Sequence, residues 1–288
     1  MDSWDDMTWL LALNGSSDRY IWNFEADGWR LRCEQPAYGT LGILPFEGRP
    51  PATLDDARWL ADVFAFDHDA PIGVIPAMAD GHPKDPEALP VSEPVHSLGE
   101  WTRQYWNWLN AAFAAVAENR FNGTFVLRYD EDDDSAPRLD FSERFKDLEE
   151  LVGLYAMAAR QADILSEFLL LYRLLEAADG ANGTQFVARN ISQLRHHDFG
   201  TLIVIDDLTL GPGRAPNAFE VYRARALEEL DHLESERVLD VAQYLYQIRN
   251  SLAHGKARGL HPRHPARFAE AAHALPIVKL LARIAVEP

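Results

Sequence analysis

Apolar residues recur with period two in much of the first half of the chain and at spacings of three and four in the second, so two kinds of structure are expected. Tyr20, Trp22 and Phe24, then Trp29, Leu31 and Cys33, alternate with polar residues around Asp27-Gly28, a pattern that predicts a β-hairpin. Further strands are expected near 41–44, 72–75 and 124–128. Helices fit 54–64 and, more strongly, 98–119, where Trp101, Tyr105, Trp108, Leu109 and Phe113 make one apolar face. That stripe reads as core; the alternative, a platform on which bases stack, lacks basic neighbours. Beyond it, 148–178 has the pattern of one long amphipathic helix, stopped by Asp179-Gly180 and Asn182-Gly183. A second helix fits 184–197, and 199–210 reads as a loop or short strand closed by Gly211-Pro212-Gly213. A third helix covers 220–237 and either continues onward or bends near Ser235. Val241, Leu245, Ile248 and Leu252 mark another over 240–253, with Gly255 as its stop signal, and a last one covers 265–285. The expected class is mainly α: a Trp-rich α+β module over 1–147, then an all-α bundle of four or five helices over 148–288 with antiparallel neighbours.

Packing does not account for the polar residues in Tyr246-Gln247-Ile248-Arg249-Asn250-Ser251-Leu252-Ala253-His254-Gly255-Lys256. Asn250 and His254 are four residues apart and share a helix face. Arg249 points roughly 100° away and needs its long stem to reach the same target. All three can grip a phosphate. Histidine titrates near neutrality and can take the proton from a ribose 2′-hydroxyl or give one to the leaving oxygen. Arginine stays charged and can fork two hydrogen bonds onto a phosphate, while the asparagine orients either group. The plainer reading is that an arginine and a histidine near a helix C-terminus offset the helix dipole, worth ~0.3–1 kcal/mol each. Upstream, Glu176 can approach across the bundle and hold Arg249, although such carboxylates are also ordinary structural partners. Arg173 is open to the same two readings.

Arg249-Asn250 followed by His254 resembles the signature of the HEPN superfamily of helical domains. Phe168-Leu169-Leu170-Leu171-Tyr172-Arg173-Leu174-Leu175-Glu176 is similar to the first-helix pattern of its ApeA-like branch, so the resemblance spans about 148–286. It implies a HEPN-like bundle acting as a metal-independent endoribonuclease with no cofactor. The implied assembly is a homodimer with two motifs facing one cleft, and the implied setting is toxin or antiviral defence. Some relatives are noncatalytic interaction or nucleotide-binding modules, which is the alternative class of function. On this reading Arg249, Asn250 and His254 are catalytic, Glu176, Arg173 and Lys256 support them, and Arg258, Arg263 and Arg267 bind RNA.

Charge first argues against a nucleic-acid partner, because the 288-residue chain carries a formal −18. Its distribution changes that picture. Residues 1–150 hold 29 acids against 12 bases, residues 151–288 hold 16 against 15, and from Arg249 to Arg283 seven bases face Glu270 alone. A positive field around the motif is therefore expected, aided by a loop at 259–265 carrying His261, Arg263 and His264; a merely solvated basic run is the alternative. The acidic first module is expected to sense a trigger, select a target or restrain the nuclease. All eight tryptophans lie within the first 108 residues, so the two modules have different cores. A proline- and acid-rich stretch, 80–94, reads as a surface loop, and Asp130-Glu131-Asp132-Asp133-Asp134 as a solvated hairpin tip without the glycine and spacing of a calcium loop.

Other chemistries find little support. His196-His197-Asp198 with His261 and His264 matches no zinc spacing, and no metal is expected. Phosphate-binding loops, nucleophile elbows and zinc-protease His pairs are absent from the sequence. Cys33 is alone, which points to a reducing compartment. Asp2, Asp5 and Asp6 stand where a signal peptide would be positive, and no apolar run is long enough to span a membrane. A cytoplasmic protein with no membrane partner is expected.

Overall fold

The computed structural model describes residues 9–12, 23–35, 40–46, 48–69, 72–79, 82–83, 138–161, 163–200, 218–254 and 265–287. The chain divides into two compact units, Met1–Lys146 with Leu202–Ala215, and Asp147–Thr201 with Pro216–Pro288. The architecture is mainly α, and the strands among the described residues all lie in the first unit.

In the first unit β1 (Trp9–Ala12), β2 (Asn23–Ala26), β3 (Trp29–Gln35), β4 (Thr40–Pro45), β5 (Gly73–Pro76) and the later β8 (Arg138–Leu139) form one sheet in the order β5-β1-β4-β3-β2-β8. β6 (Met78–Ala79) and β7 (His82–Pro83) make a separate antiparallel pair. The hairpin forms where expected: β2 and β3 pair antiparallel from Asn23↔Arg32 to Ala26↔Trp29. Asp27 (φ 51°) and Gly28 (φ 77°) both adopt the left-handed conformation that a two-residue type I′ turn requires. The Asp27 carboxylate then accepts hydrogen bonds from Trp59 Nε1 at 2.9 Å and from Ser142 N and Oγ at 3.0 and 2.9 Å. β1 was not expected, because four consecutive apolar residues carry no period. It lies inside the sheet between β4 and β5, which is why Trp9, Leu10 and Leu11 are all buried.

Against this sheet packs α1 (Leu54–His68), opened by a capping box in which Asp56 N donates to Thr53 Oγ1 and Thr53 N to Asp56 Oδ2. Its apolar face continues past the expected end through Ala65 and Phe66. Phe66 and Phe64 meet Phe145 and Phe141 edge to face at 5.5 and 6.4 Å, the latter pair flanking α2 (Phe141–Arg144). The expected helix over 98–119, the strand at 124–128, the acidic run 130–134 and most of the loop 80–94 lie outside the described residues.

The second unit is helical. The stretch 148–178 is two helices rather than one: α3 (Glu149–Ala159) and α4 (Ile164–Asp179). The break has a local cause, since Asp163 turns its carboxylate onto Leu165 N and Ser166 N at 3.0 and 3.2 Å and starts a new helix. Gly180 ends α4 with φ 68°. The second expected helix is α5 (Thr184–Asn190) tightening into a 3₁₀ turn (Ile191–Arg195). α6 (Ala218–Ser235) ends at the expected bend, where Arg237 turns left-handed (φ 59°), and Asp240 caps α7 (Val241–His254) by accepting from Gln243 N at 2.9 Å. α8 (Pro265–Val286) closes the unit. α4 is central, packing on α3, α5, α7 and α8. Its Phe168, Leu171, Leu174 and Leu175 are fully buried, each adding ~1.5–3 kcal/mol by transfer from water.

Charges enter this core. Lys279 Nζ on α8 and Glu167 Oε1 on α4 are 2.7 Å apart at 1% and 0% exposure, and the lysine lies 4.7 Å over the Tyr222 ring. Arg283 is fully buried, donates to the Gly200 carbonyl at 3.0 Å, pairs with Glu287 at 3.3 Å and faces the Phe219 ring at 4.4 Å. Arg223 donates to the His197 carbonyl and lies 5.2 Å over Phe199.

Candidate functional site

α4 and α7 meet near the C-terminal end of each. Ala242, Leu245, Ile248 and Leu252 turn the apolar stripe of α7 inward, with Val241 half-buried beside it, which leaves Tyr246, Arg249 and Asn250 half-buried at the margin of the contact. From α4, Glu176 comes forward one turn after the buried Tyr172. One nitrogen of Arg249, Nη2, is shared between both Glu176 oxygens, at 2.9 Å to Oε1 and 3.1 Å to Oε2, while Nη1 donates to Asn250 Oδ1 at 3.0 Å. The side chains of Arg249 and Glu176 are 25% and 19% exposed, so the pair is partly shielded and still open to solvent. Such a charge-assisted contact fixes the direction of the guanidinium.

Tyr172 forms the floor. Its ring stacks on Phe168 at 6.2 Å and tilts against Tyr246 at 6.5 Å, and its hydroxyl donates to the Asn182 carbonyl at 3.3 Å. Burial, chiefly, and then the negative charge of Glu176 hold this phenol well above the usual tyrosine range, with Arg249 opposing. The loop under it is tight: Gly183 has φ 77°, and a Cβ there would stand 3.3 Å from the Tyr172 ring.

Arg249, Asn250 and Glu176 are thus together. Arg173, three residues before Glu176, is exposed on α4 and has no partner among the described residues. His254 is the last residue of α7, and its side chain lies outside the described residues, as do Lys256, Arg258 and Arg263. Arg267 stands in the first turn of α8, its side chain likewise undescribed. The basic run is less available than its count suggests. Lys279 and Arg283 are inside the bundle and Arg249 is paired, because each cation found an acidic partner distant in sequence or close on its own helix.

His196 and Asp198 are exposed, whereas His197 packs on Phe199 with ring centroids 4.7 Å apart. Burial, followed by the charges of Arg223 and Arg283, pushes the His197 imidazole below its ordinary range against the pull of Glu287 and Asp198. Among the described residues no group of three or more histidine, cysteine or acidic side chains is placed to hold a metal; His261 and His264 lie outside them. No described helix is long and apolar enough to cross a membrane. Tyr172 and Tyr246 were not expected to belong to the site. The available signal was position, since Tyr246 stands four residues before Asn250 on the same row of the helix.

Residues 151–287, just under half of the chain, match the family model described as Methylamine utilization protein MauJ. MauJ-like proteins are HEPN-related, so the match supports a HEPN-like link for the helical unit at that coarse level. No curated protein matches the chain, and neither does any solved structure.

Proposed function

We propose that the helical unit is a metal-independent endoribonuclease of toxin or antiviral defence type, using Arg249, Asn250 and His254 without a cofactor. The observation that carries the reading is the Arg249 guanidinium, held by Glu176 and Asn250 at the end of α7 with one quarter of the side chain exposed. An oriented cation at the edge of solvent suits a phosphate that gains charge in the transition state. His254 takes the proton of the ribose 2′-hydroxyl, whose oxygen attacks phosphorus. The bond to the 5′-oxygen breaks, that oxygen leaves with the proton handed on by the His254 imidazolium, and a 2′,3′-cyclic phosphate remains. Asn250 and Glu176 orient the arginine, Arg173 and Lys256 add positive charge, and Arg258, Arg263 and Arg267 hold the RNA strand. Two copies pair through the bundle, each motif facing its counterpart. The finer placing in the ApeA-like branch rests on the segment from Phe168 to Glu176.

Incubation of the full chain with RNA and EDTA tests the reading. Cleavage leaving cyclic-phosphate ends is expected, with a loss of ~10²–10⁴ in rate for His254→Ala in a protein that remains folded. Wild-type rates in that variant, or an absolute need for a divalent ion, reject it.

A second reading draws on the same ion pair. Glu176 neutralises Arg249, as it would in a noncatalytic HEPN-like module that uses the motif to hold a protein interface or a nucleotide, and a role in amine utilisation follows the name of the matching family. Intact folding with no cleavage of any RNA favours it.

A further inference from the structure

α7 offers more at this place than Arg249 and Asn250. Tyr246, Asn250 and position 254 succeed one another four residues apart and form one row along the helix, while Arg249 is three residues from Tyr246 and so its surface neighbour. The Tyr246 ring is half-buried and supported from below by Tyr172, which is itself fully buried and stacked on Phe168. The two tyrosines differ in their hydroxyls. That of Tyr172 is spent on the Asn182 carbonyl, whereas that of Tyr246 has no protein partner among the described residues. Core packing explains Tyr172 completely. It leaves unexplained why a ring with an unused polar end stands at the solvent edge, one helical turn of about 5.4 Å from Asn250.

We propose that Tyr246 is a nucleobase-stacking residue, receiving the base next to the phosphate that Arg249 braces. The inference rests on the ribonuclease reading for its substrate class and adds the element that site lacked. Arg249 and the exposed Arg173 supply charge for a phosphate, but a base needs a flat apolar face, and among the described residues Tyr246 carries such a face beside Arg249. A rigid floor matters, because a ring already held by Tyr172 loses little freedom when a base is laid on it. Stacking of this kind tolerates any base, so it contributes affinity without sequence preference.

The test uses the full chain and two fluorescent probes with equal numbers of phosphates: a 2′-fluoro oligoadenylate, which has no attacking hydroxyl, and an abasic oligonucleotide. Binding is followed by anisotropy at fixed salt. The wild type should prefer the base-bearing probe, and Tyr246→Leu should weaken that probe about tenfold while leaving the abasic one unchanged. Tyr246→Trp, with a larger face, should bind oligoadenylate at least as tightly as the wild type and the abasic probe equally; it decides the matter if the leucine variant does not fold. Equal loss on both probes, no loss on either, or a wild type that binds neither overturns the proposal. A wild type that binds with the expected preference yet cleaves no 2′-hydroxyl RNA rejects the nuclease reading and leaves Tyr246 as a base-binding residue.

Discussion

Replacing Lys279 with methionine would leave the Glu167 carboxylate in a site with no exposure, where its partner had stood 2.7 Å away. Removing one member of a buried ion pair costs ~3–5 kcal/mol, because the remaining charge is neither solvated nor matched. Glu167→Leu should cost a similar amount by taking the carboxylate from the buried ammonium, which lies 4.7 Å over the Tyr222 ring. The double variant Glu167→Leu/Lys279→Met removes both charges and should recover to within ~1 kcal/mol of the wild type or exceed it, since apolar residues of similar volume are often at least as stable. Methionine also suits the Tyr222 face, where its sulfur packs well. Urea titration reads the outcome through two probes. All eight tryptophans precede residue 109, so tryptophan fluorescence reports the first unit, whereas far-ultraviolet circular dichroism is dominated by the helices of the second. With a slope of ~2 kcal/mol per molar urea, a loss of ~4 kcal/mol moves the dichroism midpoint down by about 2 M at unchanged slope. The fluorescence midpoint should stay in place. Shifts under ~0.5 M for both single variants would mean that the pair behaves as a surface contact worth ~0–1 kcal/mol, and a double variant that loses the sum of the singles would mean that the two residues are not coupled. Either result refutes the reasoning.

Gly183→Ala should lower the melting temperature of the helical unit, because its φ of 77° costs an L-residue ~1–2 kcal/mol and the new Cβ would press on the Tyr172 ring; scanning calorimetry checks it, and an unchanged melting temperature would contradict the strain. Tyr244 is pushed up to about 12 by burial and then by the carboxylates of Glu229 and Glu270, so its contribution to stability is complete below pH ~10 and is lost as pH rises through 12. Melting curves across that window should fall less steeply for Tyr244→Phe than for the wild type. On the RNA-binding reading, each phosphate neutralised on a single strand contributes about −0.7 to the slope of log affinity against log salt. Seven cations would give about −5, but Lys279 and Arg283 are buried within the bundle, so a slope of about −3.5 per protomer is expected from anisotropy titrations. A value of −5 or steeper would show that the internal pairs open on binding.

Much of this fold is legible because burial leaves a period. The stripe Val241, Leu245, Ile248 and Leu252 placed α7, and Asp27-Gly28 between alternating strands placed the hairpin. The break between α3 and α4 was hidden, since Arg160, Gln161 and Ala162 favour helix and the apolar spacing runs through them; only Asp163 marks a new N-terminus. β1 was hidden for the opposite reason, as a strand covered on both faces has no alternation to read. At the site, helix faces suffice to bring Glu176 toward Arg249, but an aromatic residue at helical spacing looks the same whether it fills a core or edges a groove. Tyr172 and Tyr246 therefore needed their neighbours to be told apart. Charge misled most. A lysine and an arginine at the end of α8 read as a basic surface, and nothing local reveals that Glu167 waits for one of them in the core.

The two ion pairs of α4 are linked by its geometry. Glu167 and Glu176 are nine residues apart, which at 3.6 residues per turn is about two and a half turns, so they leave opposite faces of the helix, one toward α8 and the other toward α7. The buried pair can be made at one rotation of α4 only, since turning the helix by a single residue position would carry Glu167 away from Lys279 by roughly 100°. That rotation is also the one that presents Glu176 to Arg249 and sets the Tyr172 ring beneath Tyr246. A charged pair in a core that apolar residues would stabilise as well makes physical sense in these terms. Leucine and methionine tolerate neighbouring rotations of a helix, whereas a lysine and a glutamate without water accept one, and the direction of the Arg249 guanidinium at the edge of solvent inherits that choice.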